Sequence, residues 1–381
     1  MGPAHEDARH VAILSALGPR ASAAVMLRAA AANGVLTLRE VRMLYHSFFR
    51  GFVTYNAAEG SRGENAAVDR ADVTMVRTLL GISPRESVDN AALYGEMGLK
   101  KMLAVAVSAA VRLHTYIVHR EPAAQIRSVF EHYAAVCEAH GFPPGNWCSW
   151  VREAYGLLGF PQLYATGWDT AVAGMTIKEA VVAWQQTVWR QRVMDSGRLG
   201  VYARLARHLE AREYHAGGPR RSRIVLYRLR TETFPCEIKV LREQGIVRAL
   251  RTCRACALAE LGGTYHALCR CSLYNGPRAR MYAAVAACAP PGMLAWLGPM
   301  ADPENDGKWA AILLDGELDG VPFAEAYGRH RRAIHEFPDF DVFKHQYLTI
   351  LEWRKALRET LKAPLLEIVK VASRRFGYTD V

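Results

Sequence analysis

Cys253-Arg-Ala-Cys256, followed by His266 and Cys271, sets three thiols and one imidazole at the spacing C-x2-C-x9-H-x4-C. Four such ligands can close a tetrahedral Cys3His zinc site with no open position, which is the arrangement of a structural rather than a catalytic metal. The short C-x2-C arm lets two thiolates grip one ion from a single turn, and the H-x4-C arm supplies the second pair. Cys269 lies two residues before Cys271, so either thiol can be the fourth ligand on spacing alone. Gly262 and Gly263 sit between the arms, where a sharp reversal of the backbone is expected.

The rest of the chain surrounds this stretch with helical signals. Thr37-Leu-Arg-Glu40, Ser83-Pro-Arg-Glu86 and Thr176-Ile-Lys-Glu179 have the form of capping boxes, in which hydroxyl and carboxylate exchange bonds with the first-turn amides. Apolar residues recur at helical spacing after each of them, and Leu348, Leu351, Trp353 and Leu357 do so near the C-terminus. A helix is expected over 198–214 and another after Met281. The expected class is mainly α: helical bundle units with a small zinc-knuckle-like insert and little or no β. The breakers Gly141-Phe-Pro-Pro-Gly145 and His215-Ala-Gly-Gly-Pro219 guide the expected division. It has a helical region 1–145, a helical linker region with a basic stretch 146–250, the zinc segment 251–281 and a C-terminal helical region 282–381.

Charge points to an anionic partner. The net charge is +11, and between Arg220 and Arg254 ten Lys/Arg face three acids. Guanidinium groups pair bidentately with phosphate, so Arg220, Arg221, Arg223, Arg228, Arg230, Arg251, Arg254 and Arg278 are the candidate nucleic-acid contacts. The same arginines would also offset the net −1 of three thiolates on one zinc. The first twenty residues carry His, Asp and Glu in place of an apolar core, and the longest apolar run, Met102 to Val111, is too short to span a bilayer. An intracellular protein of the nucleus, the cytoplasm or an organelle, with reduced thiols and no membrane association, is expected. No G-x-G-x-x-G, Walker loop or nucleophile elbow is present, so nucleotide and hydrolase chemistry are not supported.

Several segments together are similar to a known family. Leu44-Tyr45-His-Ser47 with Tyr55-Asn56, then Leu79-Leu80-Gly81 with Ala92-Leu93 and Glu96-Met-Gly98, then Trp184 with Arg198-Leu199 and Tyr202, occur in a fixed order. Arg228-Leu-Arg230-Thr-Glu232-Thr-Phe-Pro-Cys-Glu-Ile238 resembles "RLRTGTHPLEI". The cysteine stretch, through Leu268, Tyr274 and Arg278, resembles "C-x2-C … E-x-x-H-x-L-x2-C-x2-Y-x3-R". This order resembles the C-terminal half, thumb plus Cys-Cys-His-Cys region, of non-LTR (LINE-type) retrotransposon reverse transcriptases. The resemblance implies a thumb-like helical region ahead of the zinc segment.

The chain departs from that family where the chemistry lies. Polymerase catalysis needs paired aspartates holding two metal ions, and this sequence contains no Asp-Asp pair. The fingers and palm expected before Leu36 have no counterpart, Asn56 replaces a glycine, and Gly263 stands where the pattern has an acid. The expectation is therefore a retroelement-derived, non-enzymatic protein with structural Zn2+ that binds RNA or DNA mainly through phosphate. Two other readings remain: a structural or assembly protein docking on an RNA-rich particle or protein partner, and a decayed or split reverse transcriptase fragment, its palm supplied by a separate protein.

Overall fold

The computed structural model describes residues 88–142, 146–210, 220–289, 293–300, 302–314 and 340–376, with a few isolated positions before them; in the last segment the side chains described are 356, 357 and 359–376. The capping boxes at Thr37 and Ser83, the stripe from Val41 to Phe52 and the Tyr55 segment lie essentially outside these residues. Among the described residues the architecture is α-helical, and the only β feature is one antiparallel bridge between Thr252 and Leu261. The chain divides into two units, 1–84 with 93–192 and 85–92 with 193–381.

The first unit is built on α2 (Met102–Val118), α3 (Gln125–Ala139) and α4 (Trp147–Leu157), which follow the short α1 (Asn90–Met97). One face of α2 is almost all small: Ala104, Ala106, Val107, Ala110 and Val111 are buried against Trp150, Val151, Ala154 and Tyr155 of α4. Small side chains let the two helix axes approach closely, and the aromatic residues fill the flanking space. Asn146 begins α4 by accepting the Ser149 amide at 2.8 Å. α5 (Thr170–Ala173) is capped by Asp169 and stopped by Gly174 at φ +67°. The Thr176 capping box starts α6 (Ile177–Asp195): the Thr176 amide donates to Glu179 at 2.8 Å and the Glu179 amide donates back to the threonine hydroxyl at 3.3 Å.

His114 of α2 is buried in this unit inside an aromatic cage. Tyr164 stacks on it at 5.1 Å, Phe130 and Tyr155 meet it edge-on, and its Nδ1 lies 3.1 Å from the Tyr155 hydroxyl. Burial, and then the neighbouring His119, hold its pKa down to about 4.

The second unit gathers α7 (Gly200–Leu205), α8 (Arg220–Arg230), α9 (Glu237–Glu243), α10 (Asn275–Cys288), α11 (Met293–Leu297), α12 (Asp306–Leu313) and α13 (Phe340–Arg375) around one core. Of the helix expected over 198–214, the described residues form α7; residues 206–210 leave helical form after Ala206 turns extended, and 211–214 lie outside the described residues. The helix expected after Met281 begins earlier, at Asn275. Leu357, Leu361, Leu365, Ile368, Val369 and Ala372 form a helical stripe on α13 that packs against α10 and α8. Cys253, Leu268, Cys269, Cys271 and Tyr274 belong to this same core, so the cysteine stretch is a wall of the unit and not a separate segment.

Candidate metal centre

After α9 and a short 3-10 turn, the chain forms a narrow hairpin. The Cys253 amide donates to the Glu260 carbonyl at 2.7 Å, and the Gly262 amide donates to the Arg251 carbonyl at 3.0 Å. Cys253 and Cys256 lie at the closed end, and Ala259 takes φ +49° to turn the chain. The return arm runs into a single π turn, His266–Arg270, closed by the Cys271 amide on the His266 carbonyl at 2.8 Å. That wide turn positions the second ligand pair. π turns in helical segments often mark functional sites, since they redirect side chains at a cost in regular bonding.

The ligand atoms of Cys253, Cys256, His266 and Cys271 all lie within 4.8 Å of one another. Cys253 and Cys271 sulfurs are 3.7 Å apart, and the Cys256 sulfur is 3.3 Å from His266 Nε2. A tetrahedral zinc with Zn–S of about 2.3 Å and Zn–N of about 2.0–2.1 Å would separate sulfurs by roughly 3.8 Å and sulfur from nitrogen by roughly 3.6 Å. The cluster fits that geometry and is compatible with zinc. Cys269 is not part of it: fully buried in the core, its thiol is pushed by burial to about 12. Burial also raises Cys253, and raises Cys271 to about 12. A divalent cation bound here would displace those thiol protons.

Around the ligands stands a layer of charge that spacing could not indicate. His266 Nδ1 lies 3.0 Å from the Glu260 carboxylate, which fixes the ring and leaves Nε2 facing the thiols. Arg270 joins Glu260 at 2.8 Å to Asp306 of α12 at 2.7 Å. Glu237 lies 3.7 Å from the Cys253 sulfur, accepts the Arg254 amide at 3.3 Å and is paired with Arg375 of α13 at 2.7 Å. Glu260, Glu237, Arg270, Asp306 and Arg375 therefore orient the site, yet they are scattered in sequence and carry no motif.

The two glycines serve a different purpose from the expected reversal. Neither takes a positive φ; a Cβ on Gly262 would stand 2.6 Å from Glu237 Cβ, and one on Gly263 would stand 2.4 Å from Glu232 Oε1 and 2.7 Å from Ile238 Cδ1. They allow the hairpin to lie directly on α9 and on the turn before it. Glu232 itself takes φ +52° and is buried, with Oε1 accepting the Thr264 amide at 3.3 Å.

The candidate phosphate contacts divide sharply. Arg221 on α8 and Arg254 in the hairpin are exposed, and Arg223, Arg228 and Arg251 are half-buried, Arg251 donating to the Ile246 carbonyl at 2.7 Å. The Arg220 side chain lies outside the described residues. Arg230 is fully buried at the end of α8, bonded to the Leu314 carbonyl at 2.5 Å, and so cannot reach a phosphate. The negative end of the helix dipole and the orphan carbonyl there favour a buried cation. Arg278 is likewise turned inward, donating to the Leu268 and Cys271 carbonyls and to Asn275. It braces the π turn and does not present a free guanidinium.

Among the described residues no single helix is long and apolar enough to cross a membrane. No family model, curated protein or solved structure matches the chain.

Proposed function

We propose that the chain is a retroelement-derived, non-catalytic nucleic-acid-binding protein in which a structural zinc stiffens a hairpin carrying arginines toward phosphate. The observation that supports it most directly is Arg254. It sits inside the C-x2-C arm, its backbone amide is tied to Glu237, and its side chain is exposed. A guanidinium on a rigid, metal-held loop loses little freedom on binding. Arg221 on α8 adds a second exposed cation, and the net charge of +11 favours any polyanion. Contacts of this kind read backbone more than base sequence. No polymerase chemistry is assigned to these residues, since the sequence offers no paired aspartates.

Fluorescence anisotropy of the zinc-loaded chain with single-stranded RNA tests this reading. Affinity should fall with salt, by a log–log slope of about −0.7 per neutralised phosphate. Combined Arg221→Glu and Arg254→Glu should weaken binding to all sequences alike and reduce the magnitude of that slope by about 0.7 per lost contact. Unchanged affinity and slope in the double variant would defeat the proposal. Absence of RNA binding, with capture of a defined protein partner through the same face, would favour the assembly reading.

A further inference from the structure

Next to the metal hairpin, the second unit contains a cavity of about 410 Å³ that the metal does not need. Its lining includes Arg204, Glu232, Arg248, Tyr265, Arg270 and Asp306, together with Glu260 and His266 of the metal layer. Three arginines face three carboxylates, so a bare anion gains nothing from the net charge. The charges are instead segregated by depth. Arg204 is exposed and the Arg248 side chain is 41% exposed, whereas the Glu232 and Asp306 side chains are 3% and 9% exposed. Arg204 and Arg248 stand at the mouth and Glu232 and Asp306 at the floor, with Arg270 lying deep beside Asp306.

The floor is also unsatisfied. Glu232 Oε2, Asp306 Oδ1, Arg270 Nε and the Tyr265 hydroxyl are buried without a hydrogen-bond partner, and the nearest cation to Glu232 Oε2 is Arg248 at 3.7 Å. Buried polar atoms are nearly always partnered, so four orphans around one cavity ask for a group that supplies donors and an acceptor. Tyr265 adds an aromatic wall, with the Arg204 guanidinium 5.6 Å from its ring. We propose that this cavity binds a single guanine nucleotide. Its phosphate would lie on Arg204 and Arg248, its base beside Tyr265, and its N1–H and N2–H edge would be directed at the buried carboxylates. Adenine lacks that donor pair, and a phosphate alone would leave the floor orphaned. The nucleotide unit is the shared chemistry of a free nucleotide and of a strand end. The inference does not depend on the arginine surface proposed above.

Isothermal titration of the zinc-loaded full chain with GMP, AMP, guanosine and a 5′-phosphorylated oligoribonucleotide beginning with G decides it. GMP should saturate, with AMP and guanosine each about tenfold weaker. Arg204→Ala, at an exposed position, should weaken GMP and AMP alike. Glu232→Gln, which keeps the acceptor for the Thr264 amide, should erase the preference for GMP. Tighter binding of the oligonucleotide than of GMP assigns the site to a strand end, and equal binding assigns it to free nucleotide. Failure of GMP to saturate at millimolar concentration overturns the proposal, as does a GMP preference unchanged in a folded Glu232→Gln protein. Should Glu232→Gln not fold, unchanged GMP affinity in Arg204→Ala overturns it. RNA binding that survives while GMP binding is absent rejects the pocket and leaves the surface reading standing; the reverse pattern does the opposite.

Discussion

Gly263→Ala places a methyl group where the structure already has a carboxylate. The added Cβ would stand 2.4 Å from Glu232 Oε1 and 2.7 Å from Ile238 Cδ1. Neither neighbour can retreat easily. Glu232 is buried with its Oε1 on the Thr264 amide, and Ile238 is in the core. The glycine is also held, its amide donating to Leu261 and its carbonyl accepting from Ala267. Overpacking of this kind costs about 1–3 kcal/mol. Glu232→Gly removes the obstructing carboxylate and also relieves a non-glycine residue at φ +52°. It forfeits one amide acceptor, so alone it should shift stability by no more than about 1 kcal/mol. The double variant should therefore recover the part of the Gly263→Ala loss that Glu232 causes, while the close contact with Ile238 Cδ1 remains. Urea denaturation of the four zinc-loaded proteins closes the cycle, with an expected coupling of at least about 1 kcal/mol in the direction of rescue. Additivity within about 0.5 kcal/mol would show that the two residues do not share this space.

Three further outcomes follow from the site and from the caged histidine. Cys271→Ser should abolish stoichiometric zinc, whereas Cys269→Ser should retain it and lose about 1–3 kcal/mol of stability from a buried hydroxyl; the opposite pattern in metal analysis would reverse the ligand assignment. Glu260→Ala should lower zinc affinity by about 10–100-fold in chelator competition, by releasing His266, and an unchanged constant would remove Glu260 from the site. For His114 the folded pKa of about 4 lies below the ordinary 6.5, so neutral histidine is preferred in the folded state. Its stabilising effect is complete above pH 6.5 and is lost as pH falls toward 4, by up to about 3 kcal/mol. His114→Gln should flatten that part of the pH–stability curve measured by urea denaturation, and an unaltered curve would place the titration elsewhere.

The helical class was legible because capping and apolar periodicity are local: the Thr176 box forms as its residues require, and the Leu357 stripe faces the core. Three of the metal ligands were legible because C-x2-C and a following histidine constrain one another through short loops. The choice of Cys271 over Cys269 was not. In an α-helix the residue three after His266 would share its face. The π turn carries Cys269 into the core and brings Cys271 to the metal side instead. Arg230 and Arg278 looked like the other arginines near them in sequence, because burial of an arginine depends on carbonyls supplied from elsewhere, Leu314 for one and Leu268 and Cys271 for the other. Glu232 and Gly263 stand far apart in sequence, yet in space the carboxylate at 232 fills the room that a side chain at 263 would take.

The hairpin has a kinetic consequence. Its four ligands lie within the stretch 253–271, so closing it orders only a short loop. The long α13, by contrast, must return from the end of the chain to set Arg375 on Glu237 and Leu357 to Ala372 into the core. Early closure of short loops and late docking of distant segments is the usual order of events. With zinc present, the hairpin should form first and act as the template on which α13 docks last. In pulsed hydrogen exchange during refolding, protection of the Cys253, Gly262 and Cys271 amides should precede that of the amides in α13. Simultaneous protection would mean that metal capture waits for the whole unit to assemble.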